Sequence, residues 1–159
     1  MGNVWIRRAQ LDDAERLLPI QQRAFQGDLE RYRDYETNPA NEPLAKMQRK
    51  IASFAYYAIM IDDQIVGGVE VRDRGEGHYY LGRIYLDPRC QNAGTGIQVM
   101  QLIEADFPDA RIWTLDTPHL ALRNHHFYEK LGYQKVGQTV HSEWLTLFDY
   151  RKENPKPEQ

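Results

Sequence analysis

Only one cysteine, Cys90, stands among the 159 residues. No internal disulfide can form, and a reducing, cytoplasmic setting is the expectation. Long apolar runs are missing too, for nothing approaches the roughly 20 consecutive apolar residues of a membrane span. The opening Met1-Gly2-Asn3-Val4-Trp5-Ile6-Arg7-Arg8 holds no run of signal-peptide length. Ile6 stands where a myristoylation signal after Gly2 wants Ser or Thr. Nor is there a surplus of positive charge: 20 Lys and Arg face 23 Asp and Glu, a formal net of -3. That balance excludes a broad cationic face for nucleic acid, because neutralising phosphates needs clustered Lys and Arg. Internal repeats and composition shifts are absent as well. The expectation is one domain over residues 1–151, with a polar tail over 152–159 that carries two prolines. A chain of this length can bury roughly 70% of its unfolded surface, so its core requires neither metal nor disulfide.

What is present changes period along the chain. Trp5 to Ala9 reads as a first strand. Asp12 followed by Glu15 resembles a capping box, after which Ala14, Leu17, Leu18, Gln21 and Phe25 recur at helical spacing, with Pro19 expected to kink the helix. A second helix starts near Asn41 or Glu42, carries Pro43 in its first turn and turns Leu44, Met47 and Ile51 inward. Strands follow over Phe54 to Ile61, Ile65 to Asp73 and His78 to Leu86, joined as an antiparallel meander by polar turns. Helical period returns after Pro88, with Gly96, Met100, Ile103 and Phe107 on one face. Arg111 to Asp116 reads as a buried strand, and Pro118 opens a last helix ended by Gly132. Tyr133 to Gln138 and Glu143 to Tyr150 close the chain as a hairpin. The fold class is therefore α/β (α+β): a mixed, mostly antiparallel sheet of six to seven strands with helices on both faces.

The segment Gln91-Asn92-Ala93-Gly94-Thr95-Gly96 joins the end of a strand to the start of a helix. Two glycines one residue apart let a backbone approach a ligand closely. The helix that follows offers unpaired N–H groups and the positive end of its dipole to an anion. A pyrophosphate cradle and a tight packing turn both fit these features. A dinucleotide-binding turn does not, since the segment follows a meander and lacks the third glycine.

Gln91-x-x-Gly94-x-Gly96, its lead-in Leu86-Asp87-Pro88, and the later Asn124-His125-His126-Phe127-Tyr128-Glu129-Lys130-Leu131-Gly132-Tyr133 together resemble the two cofactor motifs of the GNAT acetyltransferase superfamily. The resemblance covers nearly the whole chain and implies an acyl-CoA-dependent N-acyltransferase that moves acetyl from acetyl-CoA to a primary amine. It implies that backbone groups of Ile84, Tyr85 and Leu86 pair with the pantetheine arm of coenzyme A, and that amides of Gln91, Asn92, Ala93, Gly94, Thr95, Gly96 and Ile97 hold the pyrophosphate. Asn124 and Phe127 would flank the arm, and Tyr128 would serve as general acid in direct transfer within a ternary complex. The sequence departs from the family at Ala93, where a basic residue is common, and at Ala121, where an asparagine often stands.

A lysine-like amine with a pKa near 10.4 is only about one part in a thousand neutral at pH 7.4, so losing its proton represents about 4 kcal/mol. A base is expected. The strand before the loop carries no carboxylate, which leaves Glu70 first, then Asp116 and His125. No metal is expected: His119, His125 and His126 match no common ligand spacing. The acceptor is a small-molecule or peptide amine, favoured by the carboxylates Asp28, Glu30, Asp34, Glu36 and Glu42 and the aromatics Tyr32 and Tyr35 between the first two helices. Nucleic acid and membrane are not expected as partners, while a homodimer is compatible with this reading. The missing strand carboxylate keeps a CoA-binding regulatory module with little or no turnover as the alternative. A nucleotide-binding domain without acyl chemistry would instead prefer ATP or NAD.

Overall fold

Strands whose residues are apolar on both faces need cover on both sides, and the sequence supplies four helices to give it. The structure is a computed structural model that describes residues 2–91 and 93–154. Along the chain run β1 (Val4–Arg8), α1 (Ala14–Tyr32), α2 (Leu44–Ser53), β2 (Ala55–Ile61), β3 (Gln64–Asp73), β4 (His78–Leu86), α3 (Thr95–Ala105), β5 (Ile112–Pro118), α4 (Leu122–Lys130), β6 (Gln134–Val140) and β7 (Thr146–Glu153). The strands form one seven-stranded sheet in the order β1-β2-β3-β4-β5-β7-β6. Every neighbouring pair is antiparallel except β4 and β5, which run parallel. On one face Tyr57, Ile59, Val69, Val71 and Leu81 pack with Val99, Met100 and Ile103 of α3 and Tyr128 of α4. On the other, Tyr56 and Tyr85 pack with Leu17 and Ile20 of α1 and Met47 and Ile51 of α2. The expected fold class is the observed one. Among the described residues, no helix is long and apolar enough to cross a membrane.

Several boundaries differ from the sequence reading, each for a local reason. The entry to α1 is set by Asp13, whose Oδ2 accepts the Gln10 amide at 2.7 Å while its carboxylate binds Arg7 at 2.8 and 3.0 Å. Asp12 is not the cap. Pro19 lies inside α1 without interrupting it. Pro118 ends β5 and opens no helix; its carbonyl accepts the Ala121 amide at 3.1 Å, and α4 begins only at Leu122. β7 continues to Glu153 and pairs with β5 through Ile112, so the tail expected from Lys152 starts later.

The most consequential feature lies inside β4. Glu70 pairs with Arg83 and Val71 with Leu81, which leaves Gly82 as an extra residue, a β-bulge. Pairing between β4 and β5 covers only His78 to Tyr80 against Ile112 to Thr114. Beyond Tyr80 the two parallel strands part. Gly82 is required by close approach: a Cβ there would lie 2.1 Å from Oε2 of the buried Glu70. Gly82→Ala is expected to destabilise the protein by about 1–3 kcal/mol, the usual cost of forcing volume into a packed site. Urea denaturation measures it, and wild-type stability would show that Glu70 moves aside freely.

Candidate active site

The gap between β4 and β5 is a cleft of about 230 Å³. Its floor is Leu81, Gly82, Arg83 and Ile84 of β4, and its far wall is Asp116, Thr117 and Pro118 of β5. Phe25, Asp28 and Tyr32 of α1, with Asp34, Thr37, Asn38 and Pro39 after it, close one side. Asn124 and Tyr128 of α4 enter from the sheet's other face, and His141, Leu145 and Leu147 complete the rim.

Strand geometry decides which backbone groups the cleft can use. The Asp87 amide donates to Val66 across the β3–β4 ladder at 2.7 Å. Since hydrogen-bonded pairs recur every second residue, Tyr85 also faces β3, whereas Ile84 and Leu86 present their backbone groups to the open edge. Tyr85 is thus removed from the expected edge contacts, and its side chain is buried with its hydroxyl 2.8 Å from that of Tyr56. The Leu86 carbonyl is partly occupied: Gln91 Nε2 donates to it at 3.1 Å. Gln91 therefore fastens the loop to the strand end.

The loop then reaches α3. Asp87 accepts from the Arg89 guanidinium at 3.2 Å and from the Arg89 amide at 3.0 Å and pairs with Arg23 of α1 at 2.9 Å, and these contacts hold its carboxyl well below the usual carboxylate range. Asn92 lies outside the described residues. Gly94 has a φ of +78°, and an added Cβ would meet nothing within 4 Å. The first bond of the helix joins the Gln98 amide to the Gly94 carbonyl at 3.3 Å. The amides of Thr95, Gly96 and Ile97 come before it and have no intrahelical acceptor. Gly96 serves a different end, because its Cβ would sit 3.0 Å from the Phe127 ring. Phe127 thus packs under the first turn of α3 and is not part of the cleft lining.

Tyr128 is buried, and both burial and the nearby negative charge of Asp116 push its hydroxyl above the ordinary tyrosine range. Asn124 Nδ2 donates to Thr117 Oγ1 at 3.2 Å, tying α4 to β5. Asp116 accepts from the Tyr80 hydroxyl at 2.8 Å and lies opposite Asp149 of β7. By area Asp116 is open to solvent, yet its carboxylate sits among enough protein to lose hydration, and the second effect controls its ionisation. That desolvation, with the like charge of Asp149, holds its pKa above the usual carboxylate range despite the Tyr80 hydrogen bond and the guanidinium groups of Arg74 and Arg72.

Glu70 is elsewhere. It is fully buried beneath Gly82 on the α1–α2 side, with Oε2 2.8 Å from Arg72 Nε and Oε1 3.6 Å from Lys50 Nζ. The cleft position expected of a general base is not observed for it. His125 is also committed, its Nε2 3.0 Å from the Pro118 carbonyl and its ring stacked on Phe148 at 5.1 Å. Among the described residues no three His, Cys, Asp or Glu side chains are grouped to hold a metal ion. Of the acidic residues singled out after α1, Asp34 lines the cleft, while Glu42 is buried in a salt bridge to Lys50 at 2.7 Å. Arg83 had not been singled out. The Gly82-Arg83 pair within a strand was its signal, since a strand glycine marks a bulge and re-aims its neighbour.

A family model described as an acetyltransferase (GNAT) domain matches residues 30–154. Uncharacterized protein YrkN of Bacillus subtilis (strain 168) is 35% identical over 82 residues, which cover 50% of this chain and 44% of that protein. The chain thus aligns with less than half of that relative's length. The crystal structure of PaiA N-acetyltransferase from Thermoplasma acidophilum, in complex with coenzyme A, superposes with a TM-score of 0.77 at 17% identity, over 96% of this chain and 99% of that one. YncA from Salmonella typhimurium, with acetyl-CoA, gives 0.71 at 14% identity over 99% of both chains. At such identities the likeness speaks for the fold.

The two loop glycines separate by experiment. Gly94→Ala should cost about 1–2 kcal/mol, the strain of a left-handed residue with a Cβ, without disturbing its neighbours. Gly96→Val should cost more, because the branched side chain meets Phe127, and should shift the near-ultraviolet aromatic circular dichroism. Equal stability losses with an unchanged aromatic signal would place Phe127 away from Gly96.

Proposed function

The chain belongs to the GNAT acetyltransferase family, and on that premise we propose that it is an N-acetyltransferase that carries acetyl from acetyl-CoA to a primary amine. The observation that carries this reading is the continuity of the open β4 edge with the free amides of α3, flanked by Tyr128 and Asp116 across one cleft. The presence of coenzyme A in the PaiA structure and acetyl-CoA in that of YncA supports the same cofactor.

The residues fit that cofactor. The amides of Thr95, Gly96 and Ile97, which have no intrahelical acceptor at the positive end of α3, suit a pyrophosphate, and the space beyond Gly94 admits it. Ile84 and Leu86 offer edge hydrogen bonds to an extended amide-bearing arm, with Asn124 beside them. Acetyl-CoA supplies an activated acetyl thioester. Asp116 takes the ammonium proton, in place of Glu70, which is spent under the bulge. A carboxylate with a raised pKa is a better proton acceptor than an ordinary one. A C–N bond forms as the C–S bond breaks, Tyr128 donates its proton to the departing sulfur, and the proton the nitrogen sheds in becoming an amide restores the Tyr128 hydroxyl. Its raised pKa keeps the hydroxyl protonated across the neutral range, the form a general acid needs. The domain reading of residues 1–151 as one catalytic unit belongs to this proposal.

Tyr128→Phe keeps the ring's packing and removes one hydroxyl. It should leave acetyl-CoA affinity unchanged and lower turnover by about 10²-fold with chemistry limiting. In a pH profile of kcat/KM, activity should fall as pH drops through the pKa of Asp116, because the protonated acid cannot accept. Asp149→Asn removes the like charge and should move that limb to lower pH, and Asp116→Asn should abolish it. Wild-type turnover in Tyr128→Phe, or an acid limb that survives Asp116→Asn, would remove the respective residue from the mechanism.

A further inference from the structure

Arg83 stands where the floor of the cleft meets the buried side of the sheet. Its side chain is 14% exposed. Nη1 donates to Gln21 Oε1 at 3.2 Å and to Glu42 Oε1 at 3.1 Å, and the hydrogen bonds of Arg83 to the described residues all leave from that nitrogen. A guanidinium has five N–H donors, so Nε and Nη2 are left without a partner among the described residues, in a residue that lines the cleft.

The charges around it do not cancel. Glu42 accepts Lys50 at 2.7 Å and Arg83 at 3.1 Å. Glu70 accepts Arg72 at 2.8 Å and lies 3.6 Å from Lys50. Two carboxylates thus meet three cations. Arg72 is the member nearest solvent and stacks over Phe54 at 4.3 Å. Arg83 is the member at the cleft. Arg72 also faces Asp116, but Glu42 Oε1 is shared between Lys50 and Arg83, and a largely buried guanidinium that shares its carboxylate favours an anion that can complete it. Elsewhere the same cleft has the opposite sign, since Asp28, Asp34 and Asp116 line its other walls. One enclosed space therefore offers a positive floor and a negative rim.

We propose that Arg83 determines acceptor specificity by binding a carboxylate, so that the acceptor is an amine of the amino-acid class, its ammonium toward Asp116 and its carboxylate on Nε and Nη2 of Arg83. The planar fork of a guanidinium matches a carboxylate through two parallel hydrogen bonds. The inference rests on the amine-acceptor reading above and narrows it.

The test compares acceptors that differ in one group: free amino acids, their α-carboxamides and the corresponding decarboxylated amines, each with saturating acetyl-CoA and thiol release as the readout. Wild-type protein should prefer the carboxylate member by about tenfold or more in kcat/KM, the scale of one charge-assisted contact. Arg83→Gln keeps a donor for Glu42 and loses the charge. It should lower kcat/KM for amino acids about 10- to 100-fold relative to that for their carboxamides, mainly through KM. Arg83→Lys should retain part of the preference. Equal use of amino acid and carboxamide by the wild type would overturn the role of Arg83 and leave the amine reading standing. A preference undiminished in folded Arg83→Gln would do the same. Transfer to no amine of any kind would overturn the N-acetyltransferase reading itself, and this inference with it. Because the wild-type comparison decides alone, poor folding of a variant does not rescue the idea.

Discussion

The contact between the Glu70 carboxylate and the bare Cα of Gly82 governs the site. A glycine in mid-strand is a weak strand former, and here the weakness is used. The bulge lets β4 turn away from β5 after three paired residues, while β3 stays registered on its other side. Because these two strands separate, β4 keeps the backbone groups of Ile84 and Leu86 outside the sheet ladder, with the Leu86 carbonyl partly occupied by Gln91, and such groups want partners. The cleft, its exposed edge and the approach to α3 are consequences of one extra residue.

Charge is divided between the faces of the sheet in a way that supports this geometry. On the α1–α2 side, Glu42, Glu70, Lys50 and Arg83 form a nearly dry cluster that ties both helices to β3 and β4. Removing one partner of such a group typically costs 3–5 kcal/mol, because it leaves a charge buried without compensation. The cluster therefore fixes the cleft wall more firmly than surface ion pairs could, those being worth about 0–1 kcal/mol each. On the β5 side the device is like-charge proximity. Asp116 and Asp149 face each other across two strands, and this like charge adds to the desolvation that raises the pKa of Asp116.

Much of this was legible in the residues, and the exceptions are instructive. β4 and the loop after it were readable with correct strand bounds, because apolar alternation, Asp87-Pro88 and the spaced glycines are local signals. Pro118 misled because a proline opens a helix and ends a strand equally well, and only the pairing of β5 with β7 decides between them. Glu70 was placed on the correct strand but assigned the wrong task. Its alternation with Val69 and Val71 says that it faces away from them, without saying that Lys50 and Arg72 wait there. Tyr85 shows a similar limit: which amides of a strand face the open edge depends on the partner's register, and no single sequence contains it. Asp116 was visible only as a carboxylate near a strand end, since the burial that raises its pKa and the like charge of Asp149 that adds to it both come from the fold.

The central claim is that the parted β4 edge and the first turn of α3 together form the acetyl-CoA site. Backbone hydrogen exchange with and without the non-reactive product, coenzyme A, examines it directly. The amides of Ile84, Leu86, Thr95, Gly96 and Ile97 should become protected together at saturating coenzyme A, while those of Tyr85 and Arg83, already bonded to β3, should change little. Protection confined to other segments, or none at a concentration that saturates binding, would contradict the account.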